Sequence, residues 1–173
     1  MRRLLCGLCL AALFVCQARA TPQESEVRAA VVANFINYLE YPEAVAPPSA
    51  DPQICVAGRG ESADALLALD GRTFYGRRLQ VTSRLHPASL GGCRILFIGD
   101  TAMRSTSEWL RGVAGQPILT ISEQEDFLPA GGMVLLATQG RRTVFDINLA
   151  ALRHANLKLS TKLLRLAREL YGR

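Results

Sequence analysis

The chain has 173 residues, 49% of them hydrophobic and 20% charged, with 20 Lys+Arg against 15 Asp+Glu. That length suits one domain with a full core, and no internal repeat or low-complexity tract divides it. If Arg2, Arg3 and Arg19 are removed with an N-terminal segment, the balance falls to 17 against 15, or +2. A nucleic-acid or membrane partner is then not argued from charge.

That segment comes first. Arg2 and Arg3 precede an apolar run from Leu4 to Val15, and Ala18-Arg19-Ala20 ends it with small residues. This is the pattern of a secretory signal peptide over residues 1–20, cleaved before Thr21 and leaving 21–173 as a single periplasmic domain. The run is too short to span a bilayer. Val15 before Cys16 does not fit a lipoprotein signal, so soluble export is expected. Cys6, Cys9 and Cys16 leave with the segment, and Cys55 and Cys93 remain. In an oxidising compartment that count favours a disulfide over two buried thiols.

The mature chain opens with Thr21-Pro22-Gln23-Glu24, a helix start with Ser25 as a competing cap. Val27, Val31, Phe35 and Tyr38 form its apolar stripe, and Tyr41-Pro42 is expected to stop it. Gln53 to Gly58 reads as a short buried strand, and Glu61 to Leu69 as a helix. Thr73 to Thr82 is a hairpin or one bent strand, turning at Tyr75-Gly76. Cys93 opens a second buried strand, which leads into a helix from Ala102 to Val113. Pro117 to Ile121 is a third strand. Met133 to Thr138 and Thr143 to Leu149 make an antiparallel hairpin. Thr161 to Tyr171, capped by Ser160, carries Leu163, Leu166, Ala167 and Leu170 at helical spacing. The class is therefore α/β: a single-domain layered sandwich with a largely parallel central sheet and helical crossovers. An antiparallel C-terminal hairpin and a final amphipathic helix complete it. If the Cys55 and Cys93 strands are neighbours, the disulfide joins the middle of that sheet.

Catalytic chemistry is hard to assemble from these residues. Gly58-Arg59-Gly60-Glu61-Ser62-Ala63 follows a strand and opens a helix, as a dinucleotide fingerprint does. Glu61 would repel a pyrophosphate, however, and the next strand offers no carboxylate for a ribose, so a plain turn is the better reading. His86 and His154 lie in no motif, there is no G-x-S-x-G elbow, and no ligand spacing suits a metal. Neither an enzyme nor a cofactor is expected. Arg77-Arg78 and Arg141-Arg142 are candidate anion contacts, and the turn at Gly58 and Gly60 is a candidate anion cradle. A soluble periplasmic sensor holding an anionic ligand near Gly58 and Arg77 is the alternative reading.

The ordered set of motifs resembles the YfiR family of periplasmic regulators, from about Val27 to Ala167. Its carriers are Asn34-Phe35, Leu39-Glu40-Tyr41-Pro42, Ile54-Cys55-Val56-Ala57-Gly58, Gly71-Arg72 and Gly76-Arg77-Arg78-Leu79-Gln80-Val81. Cys93-Arg94-Ile95-Leu96-Phe97-Ile98 and Pro117-Ile118-Leu119-Thr120-Ile121 follow. Gly131-Gly132-Met133, Phe145-Asp146-Ile147-Asn148-Leu149 and Leu159-Ser160-Thr161-Lys162-Leu163-Leu164-Arg165-Leu166-Ala167 close the series. The resemblance implies a repressor that holds the periplasmic sensor region of an inner-membrane diguanylate cyclase inactive. Cyclic di-GMP signalling and biofilm formation are thereby lowered. It also implies an outer-membrane lipoprotein that sequesters the repressor, a homodimer, and a Cys55–Cys93 pair. A second cysteine pair present in some relatives is missing between Met133 and Leu149, and Tyr41 stands where many relatives have Trp. Within this reading, Phe35 on the first helix and Arg141 at the hairpin edge are the candidate partner face, with core packing as the competing reading of Phe35 and Lys162 as a further anion contact.

Overall fold

A computed structural model of the chain describes residues 23–41, 51–100, 102 and 104–172. The expected signal peptide, Thr21, Pro22 and Pro42 lie outside them. The first helix, α1 (Glu24–Asn34), starts at Gln23, whose backbone N–H donates to the Glu26 carboxylate at 3.2 Å. Ser25 is no cap: it sits inside the helix and is buried. The helix also ends earlier than Tyr41. A 3-10 turn (Phe35–Tyr38) follows, then a two-residue strand β1 (Leu39–Glu40) paired with β10 (Lys158–Leu159). Phe35, the first residue of that turn, is buried in the core.

The remaining elements are β2 (Gln53–Ala57), α2 (Glu61–Leu67), the small hairpin β3 (Thr73–Phe74) and β4 (Arg77–Arg78), then β5 (Gln80–Arg84) and β6 (Ile95–Ile98). After them come α3 (Thr106–Gly112), β7 (Leu119–Ser122), β8 (Val134–Gln139), β9 (Arg142–Asn148), α4 (Leu149–His154), α5 (Thr161–Leu164) and β11 (Glu169–Tyr171). Seven strands form the main sheet in the order β11-β9-β8-β7-β6-β2-β5. From β5 to β8 the pairing is parallel, and β8 with β9 is the antiparallel hairpin. Renumbered from β2, the parallel part has the doubly wound order 2-1-3-4-5.

Both faces of the sheet are covered, which is why β2 from Ile54 onward and β6 read as continuous apolar runs rather than alternating ones. On one face Ile54, Val56, Phe97 and Ile121 pack against Val32 and Ala33 of α1 and Leu66 of α2. On the other, Cys55, Leu96 and Ile98 meet Trp109 and Val113 from α3 and its end, with Phe127. Helix α3 is held at its start by a reciprocal cap. The Glu108 N–H donates to Ser105 Oγ, and the Ser105 N–H to Glu108 Oε2. Those bonds hold the Glu108 carboxyl below its usual range.

The tail departs most from expectation. Helix α5 lasts only four residues, and the segment read as its continuation becomes β11, parallel to β9. The leucine spacing favours a helix, but the outer edge of β9 offers ladder hydrogen bonds. The Arg168 N–H donates to the Phe145 carbonyl at 2.8 Å. Asp146 adds a second pull. It is 1% exposed, and Arg168 grips both of its carboxylate oxygens. A buried carboxylate without that partner would be costly. Leu166, an expected core residue, is left 66% exposed.

Candidate functional site

In sheets of this order, ligands bind beyond the carboxyl ends of the strands, at the point where the chain reverses direction across the sheet. Here that point lies between β2 and β6, where Gly58 to Gly60 and Gly99-Asp100 come together. Gly58 and Gly60 have positive φ, at 85° and 138°, and Gly60 starts α2. A Cβ on Gly99 would stand 2.4 Å from the Arg59 carbonyl, so the two turns are in direct contact. A Cβ on Gly60 would meet Asp100 Oδ2 at 3.2 Å.

Side chains close the rest of this crevice. The Ser62 hydroxyl donates to Glu123 Oε1 at 2.7 Å, and Arg28 Nε lies 3.2 Å from the same oxygen as an ion pair. The Gln124 amide donates to the Gly99 carbonyl at 3.0 Å, and the Ser122 hydroxyl to the Ile98 carbonyl at 2.7 Å. The Asp100 carboxylate lies against Gly60, so the cradle has the wrong charge for an anion. Gly58 and Gly60 are a strand-to-helix turn with a closed mouth.

Arg77 is not beside them. Gln53 pairs with Gln80 and Ala57 with Arg84, so the chain just before β5 lies at the amino end of β2. Gly58 lies at the other end, about 16 Å along the strand from Gln53. The joint site of Gly58 and Arg77 expected from sequence does not form. Phe35 is likewise corrected: it is 1% exposed and meets the Phe145 ring edge-on, with centroids 5.1 Å apart. Packing against a seven-stranded sheet leaves it no surface to offer. Arg141 and Arg142 are exposed at the β8–β9 turn, and Lys162 is exposed on α5. None of these three touches the crevice.

Cys55 and Cys93 are bonded, with Cα atoms 5.7 Å apart. Their strands are neighbours as expected, but Cys93 precedes β6, in a turn where its N–H donates to the Leu90 carbonyl. The bridge therefore ties β2 to the entry of β6 rather than joining two strand centres. Close by, the Tyr41 hydroxyl donates to the Arg94 carbonyl at 3.4 Å, and the Arg94 guanidinium lies 5.5 Å from the Tyr41 ring centre. Burial holds the Tyr41 phenol well above its usual range, while Arg94 pulls the other way.

The histidines are at the surface. His86 Nδ1 lies 2.9 Å from Arg104 Nη2, and since a guanidinium only donates, that nitrogen accepts. Among the described residues no group of three or more His, Cys, Asp and Glu is placed to hold a metal ion. No helix among them is long and apolar enough to cross a membrane.

One exposed feature was noted in the sequence only as a turn. Tyr75-Gly76 connects β3 and β4 with φ values of 49° and 76°, the mirror-image turn that normally takes Asn-Gly. Tyr75 is 71% exposed, its hydroxyl donates to Asn34 Oδ1 at 3.2 Å, and Phe74 meets its ring edge-on at 5.2 Å. An aromatic residue where the backbone prefers Asn was the available signal.

These features define a disulfide-braced, three-layer α/β domain whose usual ligand crevice is filled by its own side chains. The chain belongs to the YfiR/HmsC-like family, whose sequence profile matches residues 25–168. In fold it is similar to a conserved domain protein from Vibrio cholerae O1 biovar El Tor strain N16961. The match has a TM-score of 0.52 at 9% identity, over 84% of this chain and 60% of the other. The chain thus spans about three-fifths of that protein's length, and the likeness concerns the fold alone.

Proposed function

We propose that this chain is a periplasmic repressor that binds the periplasmic sensor region of an inner-membrane diguanylate cyclase and lowers cyclic di-GMP signalling and biofilm formation. The observation that carries this reading is the family match from residue 25 to residue 168, which covers the described fold from α1 to the Asp146–Arg168 pair. Repression of this kind needs no reacting group. It needs a surface that binds the inactive cyclase more tightly than the active one, and the ratio of those affinities sets the shift. The disulfide keeps such a surface in shape outside the cell. An outer-membrane lipoprotein that sequesters the repressor and a homodimeric state belong to the same reading.

The test is cellular cyclic di-GMP after deletion of the gene. A rise that wild type reverses is expected. No rise under several growth conditions would remove the repressor reading.

A further inference from the structure

We propose that the β3–β4 hairpin is the partner-binding element, with the Tyr75 ring as its anchor and the neighbouring arginines as its charged rim. The inference rests on the repressor reading and names the surface that the reading leaves open. The hairpin stands outside the seven-stranded sheet, as a separate two-stranded ladder. Tyr75 occupies left-handed backbone that β-carbon sterics disfavour for tyrosine. The fold does not need its ring for the core, since the ring is largely in solvent. Local rules broken at an exposed position mark functional sites more often than structural ones.

The charge around the ring identifies the occupant. Arg72 and Arg78 are exposed and Arg77 is half-buried, all within a few residues of the tip. Arg78 Nη2 lies 3.3 Å from where a Gly71 Cβ would be, so that guanidinium stays along the base of the hairpin. The acid nearby in sequence, Asp70, is turned to the Val81 N–H at 2.8 Å. An exposed tyrosine flanked by arginines has the composition of an interface anchor. It fits an apolar notch bordered by carboxylates, on the periplasmic domain of the cyclase.

The structural alternative is that Tyr75 only staples the hairpin to the end of α1 through Asn34. Three variants separate the two roles. Each is titrated against the immobilised periplasmic domains of the host's membrane diguanylate cyclases. Tyr75→Asn suits the backbone, so its melting temperature should be unchanged or raised, while affinity falls roughly tenfold or more. Arg72→Glu with Arg78→Glu should weaken binding similarly, and wild-type binding should weaken as salt is raised. Asn34→Ala removes the staple but keeps the ring, and should bind as wild type does.

Unchanged affinity in Tyr75→Asn overturns the proposal. So does an equal loss in Asn34→Ala, which would make the tyrosine a staple. Tyr75-dependent self-association without cyclase binding, or Tyr75-dependent capture on phosphatidylglycerol vesicles, would replace the cyclase as the occupant. A wild-type protein that binds none of the cyclase domains sinks the repressor reading, and this inference with it. Wild-type binding with unaffected variants sinks the hairpin alone.

Discussion

The two ends of the parallel sheet have been put to opposite uses. At the carboxyl end, where doubly wound sheets hold their ligands, Glu123 and Gln124 hydrogen-bond across the space between β2, β6 and β7, and Asp100 packs against Gly60. At the amino end the chain is braced instead of filled. The Cys55–Cys93 bridge, the stack of Tyr41 with Arg94 and the Tyr75 hairpin all lie there. The difference shows that strand order alone does not imply a ligand. A crevice binds only if side chains leave it open and its charge suits the guest. A surface that needs no cavity can form at the other end.

Breaking the brace should have the largest effect. Cys55→Ser with Cys93→Ser frees a loop of 38 residues, and should cost about 3–4 kcal/mol on the chain-entropy account. Denaturant unfolding of the oxidised wild type and the double variant measures this. A difference below about 1 kcal/mol would mean the packing of β2 against β6 already holds that end.

A smaller change at the closed end sharpens the contrast. Glu123→Ala strips Ser62 and Arg28 of their shared acceptor and should cost roughly 1–2 kcal/mol. Because that end is filled for structure, cyclase binding by the folded variant should be unchanged. A loss of binding without a loss of stability would reverse the assignment of the two ends.

The smallest effect concerns pH. Burial raises the Tyr41 phenol above the usual tyrosine value of about 10, outweighing the opposing pull of Arg94. A group raised on folding contributes stability that is fully present below its ordinary value. That contribution is lost as pH rises through the raised value. The alkaline absorbance titration should therefore show a late tyrosine step tied to unfolding, and Tyr41→Phe should remove it. A Tyr41 step in the ordinary range would mean the amino end is wetter than its contacts indicate.

What was legible beforehand depended on local chemistry. Apolar runs such as Ile54 to Ala57 and Ile95 to Ile98 identify strands buried on both faces, because only a covered sheet tolerates them. Two cysteines beside two such runs anticipated the bridge. The α/β class and the C-terminal hairpin followed from the same periodicities. The functional surface was less visible. Phe35 in a helical stripe looks the same whether it faces solvent or Phe145, and its burial depends on the 3-10 turn that rotates it inward. Gly58 and Arg77 flank consecutive strands of the sheet, yet the parallel register sends them to opposite ends of β2.

The tail marks the same boundary. Residues 161–171 carry a valid helical pattern, and nothing within them speaks against it. The competing terms lie in Phe145, whose carbonyl lacked a partner, and in Asp146, which needed a counterion once the sheet buried it. Short-range spacing determined which segments are apolar, and so how many layers the domain has and where its strands lie. Contacts between residues far apart in the chain decided where the strands end, which edge is covered and which side chains reach solvent. Their energies depend on distances that exist only after the chain has folded.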